Sequence, residues 1–316
     1  MADLSKVAVI TVNYGSHHLL QRNLAALTEQ APSLTAIVCD NWTTDEERAR
    51  VADLCHQHGW TFVPAQTNGG FASGCNQAAA AALGAGATCL LLLNPDARVD
   101  AETVNLLAAA VQADPDCLAV PAMFDAAGRE RAAARVLRLD NGTMAIPANN
   151  ATLAPTPDQL PWLTGACLMV STAMWRGLGG LAEDYFMYWE DVEFCVRAEG
   201  VGARLRILPE GRCFHDQGGT QRAAHESDHE SRKGTTFFYF AARNRLLFAA
   251  RNLDPQTQQR WLRTSTPAAW YLLKRARGRR RALLQSPDAI AAALRGIRDG
   301  RRLLREHAAG TDQQPQ

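Results

Sequence analysis

A chain of 316 residues, 47% of them apolar and 21% charged, has the composition of a folded globular protein and excludes a disordered or collagen-like polymer. No stretch of 18 strongly apolar residues occurs; the nearest, Ala78 to Leu93, is interrupted by GAGAT and reads as a helix followed by a strand, so no membrane span is expected. The formal net charge of +1 conceals a division, because residues 1–231 carry 15 Lys+Arg against 27 Asp+Glu while residues 232–316 carry 18 against 5. That asymmetry points the C-terminal region toward an anionic surface.

In chain order, MADLSKVAVITV passes directly into a strand pattern without a charged segment and cleavable apolar stretch, so a cytoplasmic location is expected. KVAVITVNY is a strand ending at Thr11 to Tyr14, and SHHLLQRNLAALTEQ is a helix with Ser16 as its N-cap. LTAIVCDN is a second strand ending at Asp40. DEERARVADLCHQHG is a helix closed by Gly59, TFVPA a short strand and GCNQAAAAALGAG a helix. CLLLLNPDARVD then sets four leucines against turn residues, the pattern of a strand buried on both faces and ended by Pro95. In open α/β sheets the ligand crevice lies beyond the strands' carboxyl ends, where Asp96 falls; by itself Asp96 is equally a turn acid. The alternation predicts a parallel, helix-covered sheet over at least the first 120 residues. Residues 121–160 lose the pattern and read as a variable loop or hairpin. A second ordered block runs from WLTGACLMV to RCFHDQGGT, and an Arg-rich helical tail follows to about residue 308. The eight cysteines, none in a C-x-x-C pair, read as reduced core residues.

The strand ends carry polar groups of matching kind: Thr11 with Asn13, Asp40 with Asn41, Asn68 with Gly69 and Gly70, and Asn94 to Asp96. Amides and carboxylates beside glycines suit a nucleotide, since base and ribose need directional acceptors while phosphates need close backbone approach. In YFMYWEDVEFCVRA a helix begins near Glu190 and Asp191, with Phe194, Cys195 and Ala198 at helical spacing. The acids either cap that helix favourably or include a general base. Trp189 and Tyr188 either stack on a sugar face or belong to the core. RCFHDQGGT sets His215 before a Gly-Gly-Thr loop suited to a diphosphate, whereas His225 and His229 read as a solvated helix face rather than a zinc site. Lys274 to Arg281, flanked by Trp270, Tyr271 and leucines, suits an anionic bilayer surface. No stacking platform accompanies the basic run, so no nucleic acid is expected as a partner.

TVNY, CDNWTTD, NGGFASGCN, LLLNPDARV, LTGACLMV, YFMYWEDVEFCVRA and CFHDQGGT occur in the order and approximate spacing of family 2 glycosyltransferases. The set most resembles bacterial rhamnosyltransferase-type members, over roughly residues 5–252. The resemblance implies an α/β, GT-A type, Rossmann-like and mainly parallel sheet flanked by helices, here with a basic helical C-terminal extension. It implies a nucleotide-sugar-binding half over 1–120, an acceptor-binding and catalytic half over 121–252, and a basic helical region over 253–316. It also implies inverting transfer from a nucleotide-sugar donor, dTDP-L-rhamnose by likeness, to a glycan or lipid-linked acceptor in cell-surface polysaccharide assembly, with Mn²⁺ or Mg²⁺ as cofactor.

Carried over position by position, Asp191 is the base and Glu190 orients acceptor or base. Thr11, Asn13, Asp40, Asn41, Asn68, Gly69, Gly74, Asn76, Asn94 and Asp96 lie at the donor, with Gly218, Gly219 and Thr220 along its phosphates. Trp189, Tyr188, Thr164 and Gly165 lie at the acceptor, and Asp96 and His215 hold the metal. The family's D-x-D reads N-x-D here, so Asn94 can bond a ribose while metal binding falls mainly to Asp96. TTFFYFAARNRLLFAARNL resembles the helix that closes such a catalytic domain, with Arg243 and Arg245 toward the site.

Rival readings lack their marks. A processive synthase would carry Q-x-x-R-W, where TQQRW has Thr257 in place of the glutamine. A sugar-phosphate nucleotidyltransferase would need a Gly-rich, Arg-containing loop after VAVITV. A catalytically silent nucleotide-sugar-binding protein has no need of Asp191 beside Asp96 and His215. A UDP- or GDP-sugar stays open as the donor.

Overall fold

A strand without a polar face must be covered on both sides, and β4 (Cys89–Leu93) is buried at every position. In the computed structural model, which describes residues 2–147, 153–215, 234–277 and 287–311, β4 lies between β1 (Val7–Asn13) and β11 (Cys167–Ser171) in a nine-stranded sheet. β2 (Thr35–Asp40) and β3 (Thr61–Pro64) continue parallel to β1 on one side. Beyond β4 the sheet is mixed. β11 runs antiparallel to β4 and to β6 (Cys117–Phe124), β12 (Arg204–His215) is parallel to β6, and β5 (Ala97–Val99) closes the edge antiparallel to β12. This is the GT-A arrangement, with α3 (Asp45–His58), α4 (Gly70–Gly84) and α5 (Ala101–Ala113) as connections. Thr44 and Asp100 cap α3 and α5 by accepting from Glu47 and Thr103 N–H, and Gly59 closes α3 at φ 69°.

Several local expectations change. The helix after β1 is interrupted: α1 (His17–Leu19) passes through a π turn, Leu20–Leu24, into α2 (Ala25–Gln30). Ser16 does not cap it; its hydroxyl donates to Asn13 Oδ1 at 3.0 Å. α4 starts at Gly70, ahead of Gly74, because the Asn68 carboxamide oxygen accepts from Gly70 N–H at 3.0 Å and turns the chain into the helix. Within 121–160, β7 (Glu130–Arg131) pairs with β6, while β8 (Ala134–Arg138), β9 (Met144–Ala145) and β10 (Gln159–Leu163) make a three-stranded antiparallel sheet. Such short strands rest on cross-strand packing, which leaves little periodicity to read.

The chain then runs through α6 (Thr172–Leu178) and α7 (Glu190–Gly200) to a helical layer of α8 (Thr235–Asn252), α9 (Pro255–Arg263), α10 (Ser265–Arg277) and α11 (Pro287–Thr311). α11 approaches α8 closely at two glycines: a Cβ on Gly296 would stand 2.2 Å from Tyr239 O, and one on Gly300 2.8 Å from Arg243 O. Arg245 does not face a crevice. It is 5% exposed, donates to Trp261 O and Asn141 O, and lies over the Trp261 ring at 4.8 Å, so it ties α8 to α9 and to the turn before β9. Burial lowers its pKa to about 10. All eight cysteines are buried and unpaired, and no helix among the described residues is long and apolar enough to cross a membrane.

Candidate active site

Parallel register sets Asn13 beside Asp40 and Asp40 beside Pro64, so β1, β2 and β3 finish level. Their polar groups close on one another. Asn13 Nδ2 donates to Asp40 Oδ1 (3.0 Å) and Glu47 Oε1 (3.2 Å), while Asp40, fully buried, pairs with Arg48 Nε at 2.9 Å. Asn41 Nδ2 donates to Gly70 O at 2.7 Å. Thr11, Asn13, Asp40 and Asn41 are thus gathered, with Asn13 and Asp40 turned on each other rather than outward. Thr11 Oγ1 and Asn41 Oδ1 are buried without a hydrogen-bond partner among the described residues. Buried polar atoms are nearly always bonded, so these two mark where the crevice is incomplete.

Three positions on α4 serve packing. Gly69 is its N-cap, and a Cβ there would meet the Ser73 side chain at 2.9 Å. A Cβ on Gly74 would lie 2.7 Å from Val12 Cγ1, so its small size brings α4 onto the sheet. Asn76 departs from the expected donor site. Its Oδ1 accepts from Leu181 N–H, and its Nδ2 donates to Leu181 O and Glu183 Oε1, all at 2.9 Å, which commits the amide to the loop before α7.

At the end of β4, Asn94 N–H donates to Ala166 O at 3.0 Å, and Asn23 Nδ2, projecting from the π turn, holds Pro95 O at 2.7 Å. The β5–β12 register places His215 opposite Ala97, which brings His215 Nε2 within 3.1 Å of Asp96 Oδ1 and 3.5 Å of Asn94 Nδ2. A single imidazole nitrogen cannot donate to one and accept from the other, and its lone pair facing a carboxylate is unfavourable unless a proton or cation lies between them. Asn94 Oδ1 is buried and has no hydrogen-bond partner among the described residues. These oxygen and nitrogen donors fit Mg²⁺ or Mn²⁺, with the remaining ligands supplied from elsewhere, since no group of three or more His, Cys, Asp or Glu side chains able to hold a metal occurs among the described residues. Gly218, Gly219 and Thr220 lie outside the described residues, as do His225 and His229.

A second cluster lies at the start of α7. Glu190, 7% exposed, and the partly exposed Asp191 open α7. Asp191 Oδ2 accepts from Gly165 N–H (3.1 Å) and Oδ1 from Val192 N–H (2.9 Å), and neither acid meets a cationic side chain among the described residues. Burial raises the Asp191 carboxyl above the usual aspartate range, against the lowering effect of those N–H groups. Glu190 is pushed well above the glutamate range by burial first and by the Asp191 charge second, and its Oε2 has no hydrogen-bond partner among the described residues. A Cβ on Gly165 would reach 3.2 Å from Asp191 Cβ, so the Thr164–Gly165 turn sits tightly against the acid. Thr164 and His215 line one small concavity together with Phe124 and Arg131.

Tyr188 (φ 67°) and Trp189 (φ 77°) form a left-handed pair just before the acids, a conformation that costs a non-glycine residue on the order of 1–3 kcal/mol. Their side chains diverge. Tyr188 meets Phe237 edge-on at 5.1 Å, whereas Trp189, 6% exposed, packs on Phe248 at 5.5 Å and Trp261 at 6.3 Å. Of the two readings for Trp189, its burial against α8 and α9 fits the core one. Asn23, Arg48 and Asn244 take part in this architecture without having been singled out from sequence; a polar residue inside an apolar helical stretch was the available signal for Asn23 and Asn244.

A mixed sheet flanked by helices, with amides and a His–Asp pair at its strand ends and two carboxyls opening α7, is of the GT-A class. The sequence profile described as Glycosyl transferase family 2 matches residues 7–175, and the chain belongs to that family. It is 27% identical over 274 residues to the N-acetylglucosaminyl-diphospho-decaprenol L-rhamnosyltransferase of Mycobacterium tuberculosis, covering 77% of this chain and 86% of that protein. It is 25% identical over 204 residues to the low-salt glycan biosynthesis hexosyltransferase Agl10 of Haloferax volcanii, covering 62% of each chain. Among solved structures, the fold is similar to GalNAc-T7 with UDP, GalNAc and Mn²⁺ (TM-score 0.56, 15% identity, 87% of this chain and 58% of that one). It is also similar to the mannosyltransferase PcManGT of Pyrobaculum calidifontis with GDP-Man and Mn²⁺ (TM-score 0.53, 18% identity, 99% and 88%).

Proposed function

We propose that this protein is a metal-dependent inverting glycosyltransferase that moves a sugar, L-rhamnose from dTDP-L-rhamnose, onto a lipid-linked glycan in cell-surface polysaccharide assembly. The observation that carries the reading is Asp191: a partly exposed residue whose carboxylate is fixed by two backbone N–H groups and meets no cationic side chain among the described residues. Inverting transfer needs one such group. Asp191 takes the acceptor hydroxyl's proton as that oxygen bonds the anomeric carbon, and the bond to the nucleoside diphosphate breaks with its electron pair leaving on the phosphate oxygen. A raised carboxyl pKa makes Asp191 a stronger base than an ordinary aspartate. Glu190, beside it, orients the acceptor or the base. Tyr188, Thr164 and Gly165 border the acceptor.

The donor's nucleoside sits in the crevice of Thr11, Asn41 and Asn68, with Asn13 and Asp40 shaping it from behind and Asn94 at the ribose. Asp96 and His215 hold the divalent cation, which when bound neutralises charge on the departing diphosphate. The mycobacterial relative, whose name specifies a diphospho-decaprenol-linked sugar, supports the rhamnosyl donor and lipid-linked acceptor. The basic run from Lys274 to Arg281 serves the anionic membrane surface where such an acceptor resides. Within it Lys274 Nζ lies 5.7 Å from the Trp270 ring, and Trp270 (42%) and Tyr271 (46%) are exposed; residues 278–281 lie outside the described residues. The division at about residues 120 and 252 assigns donor, acceptor and membrane functions to successive parts of the chain.

Calorimetric titration with dTDP, UDP and GDP, each with and without Mn²⁺, tests the site first. Metal-dependent preference for dTDP is expected, followed by rhamnosyl transfer to a diphospho-polyprenol glycan. Preference for UDP or GDP would reassign the donor, and absence of binding to all three by folded protein would remove the reading.

A further inference from the structure

The segment from Asp184 to Trp189 leads into the catalytic acids, and its carbonyls are bonded by groups from distant elements. Arg243 Nη1 donates to Asp184 O (2.9 Å), Phe71 N–H to Phe186 O (2.8 Å), and Asn244 Nδ2 to both Met187 O (2.9 Å) and Tyr188 O (2.7 Å). Asn244 is fully buried on α8, and its Oδ1 accepts from Arg243 Nη1 at 2.6 Å. The backbone leaves no slack on the opposite side, where a Cβ on Gly70 would lie 2.1 Å from Phe186 O.

We infer that Asn244 is a positioning residue for the catalytic acids: by binding two successive carbonyls it holds the left-handed Tyr188–Trp189 turn that sets Glu190 and Asp191 at the start of α7. The inference rests on the reading of Asp191 as base. Left to local preference, Tyr188 and Trp189 would leave this region of φ, and the Met187 and Tyr188 carbonyls would turn away with them. A neutral carboxamide suits the task. Its one nitrogen carries two hydrogens, enough for both carbonyls, and at full burial it brings no charge to desolvate. Because α8 is itself clasped by α11 at Gly296 and Gly300, the C-terminal helical layer reaches the reacting carboxylates through this side chain.

Asn244→Ala removes both donors. Amide hydrogen exchange across residues 185–192 is expected to accelerate about tenfold or more while β1 and β4 stay protected. In transfer from dTDP-L-rhamnose, kcat is expected to fall about 100-fold, with nucleotide Kd moving less than about threefold. Glycine relieves the left-handed strain, so in a Tyr188→Gly background the same substitution is expected to cost less than about tenfold. Unchanged exchange at 185–192, or an equal cost in both backgrounds, would overturn the inference. Should Asn244→Ala not fold, Asn244→Ser, which keeps one donor, is measured against the same criteria. If the wild type transfers no sugar, the role of Asp191 falls, and the exchange experiment still decides whether Asn244 holds the turn.

Discussion

At the strand ends, Asn13, Asp40 and Arg48 satisfy one another across separations of 27 and 8 residues, whereas before α7 the carbonyls of Met187 and Tyr188 depend on Asn244, 57 and 56 residues away. In the first region the buried Asp40 carboxylate has a guanidinium, and the non-glycine residue with positive φ there, Trp42 (32°), lies just past the strand ends. The second combines two left-handed residues with two carboxyls that meet no cationic side chain among the described residues. Charge that is paired holds a fold together, and charge left unpaired in a desolvated place stays available for proton transfer. Damage to the crevice should therefore appear mainly as lost stability or nucleotide affinity, and damage to the loop mainly as lost turnover.

The largest effect should come from Asp191→Asn, which keeps the shape and removes the base: turnover falls about 1000-fold with nucleotide binding retained. Full turnover in this variant, measured with the same donor, would take the base away from the loop and end the contrast. Arg48→Ala acts on the other region, leaving Asp40 buried and unpaired. A loss of about 3 kcal/mol in denaturant unfolding is expected, the lower end for broken buried pairs because Arg48 is about a quarter exposed. Asp96→Ala and His215→Ala should each weaken Mn²⁺-dependent nucleotide binding by about 10- to 100-fold in calorimetry while sparing metal-independent binding. Equal loss with and without Mn²⁺ would move the pair from the metal to the nucleotide.

The smallest effect concerns pH. Glu190 holds its proton in the folded state above the value, 4.5, at which an unfolded glutamate releases it. The folded state then binds more protons than the unfolded one, so this group's contribution to stability declines as pH rises from about 4.5 toward the raised folded value. Glu190→Gln should flatten that decline in melting temperatures taken between about pH 5 and about pH 8, with turnover near neutrality changed less than about tenfold. Activity, in contrast, should fall on acidification through a value above the ordinary aspartate range, because Asp191 must be ionised and burial raises its carboxyl.

Much of this was readable from residues alone where the signal is local. The leucines of β4 announce a strand with no polar face; Gly59 announces the end of α3; the acids of YFMYWEDVEFCVRA announce the start of α7. Other features resist such reading. Asn76 looked like a companion of Asn68 and instead grips Leu181 and Glu183, because which face of α4 meets which loop depends on how α4 lies on the sheet. Trp189, readable as platform or core, is packed against Phe248 and Trp261, a choice made by α8 and α9, whose residues lie far along the chain.

By itself, then, the order of residues determined the alternation of strands and helices, the polar character of the strand ends and the pairing of Glu190 with Asp191, since each depends on neighbours within a few turns of chain. The tertiary structure decided that His215 meets Asp96, through the register of β12 on β5, and that Asn244 holds the turn beneath the acids. Both contacts join residues more than 50 positions apart, and at such separations partner choice is set by how sheets and helices pack rather than by any pattern along the chain.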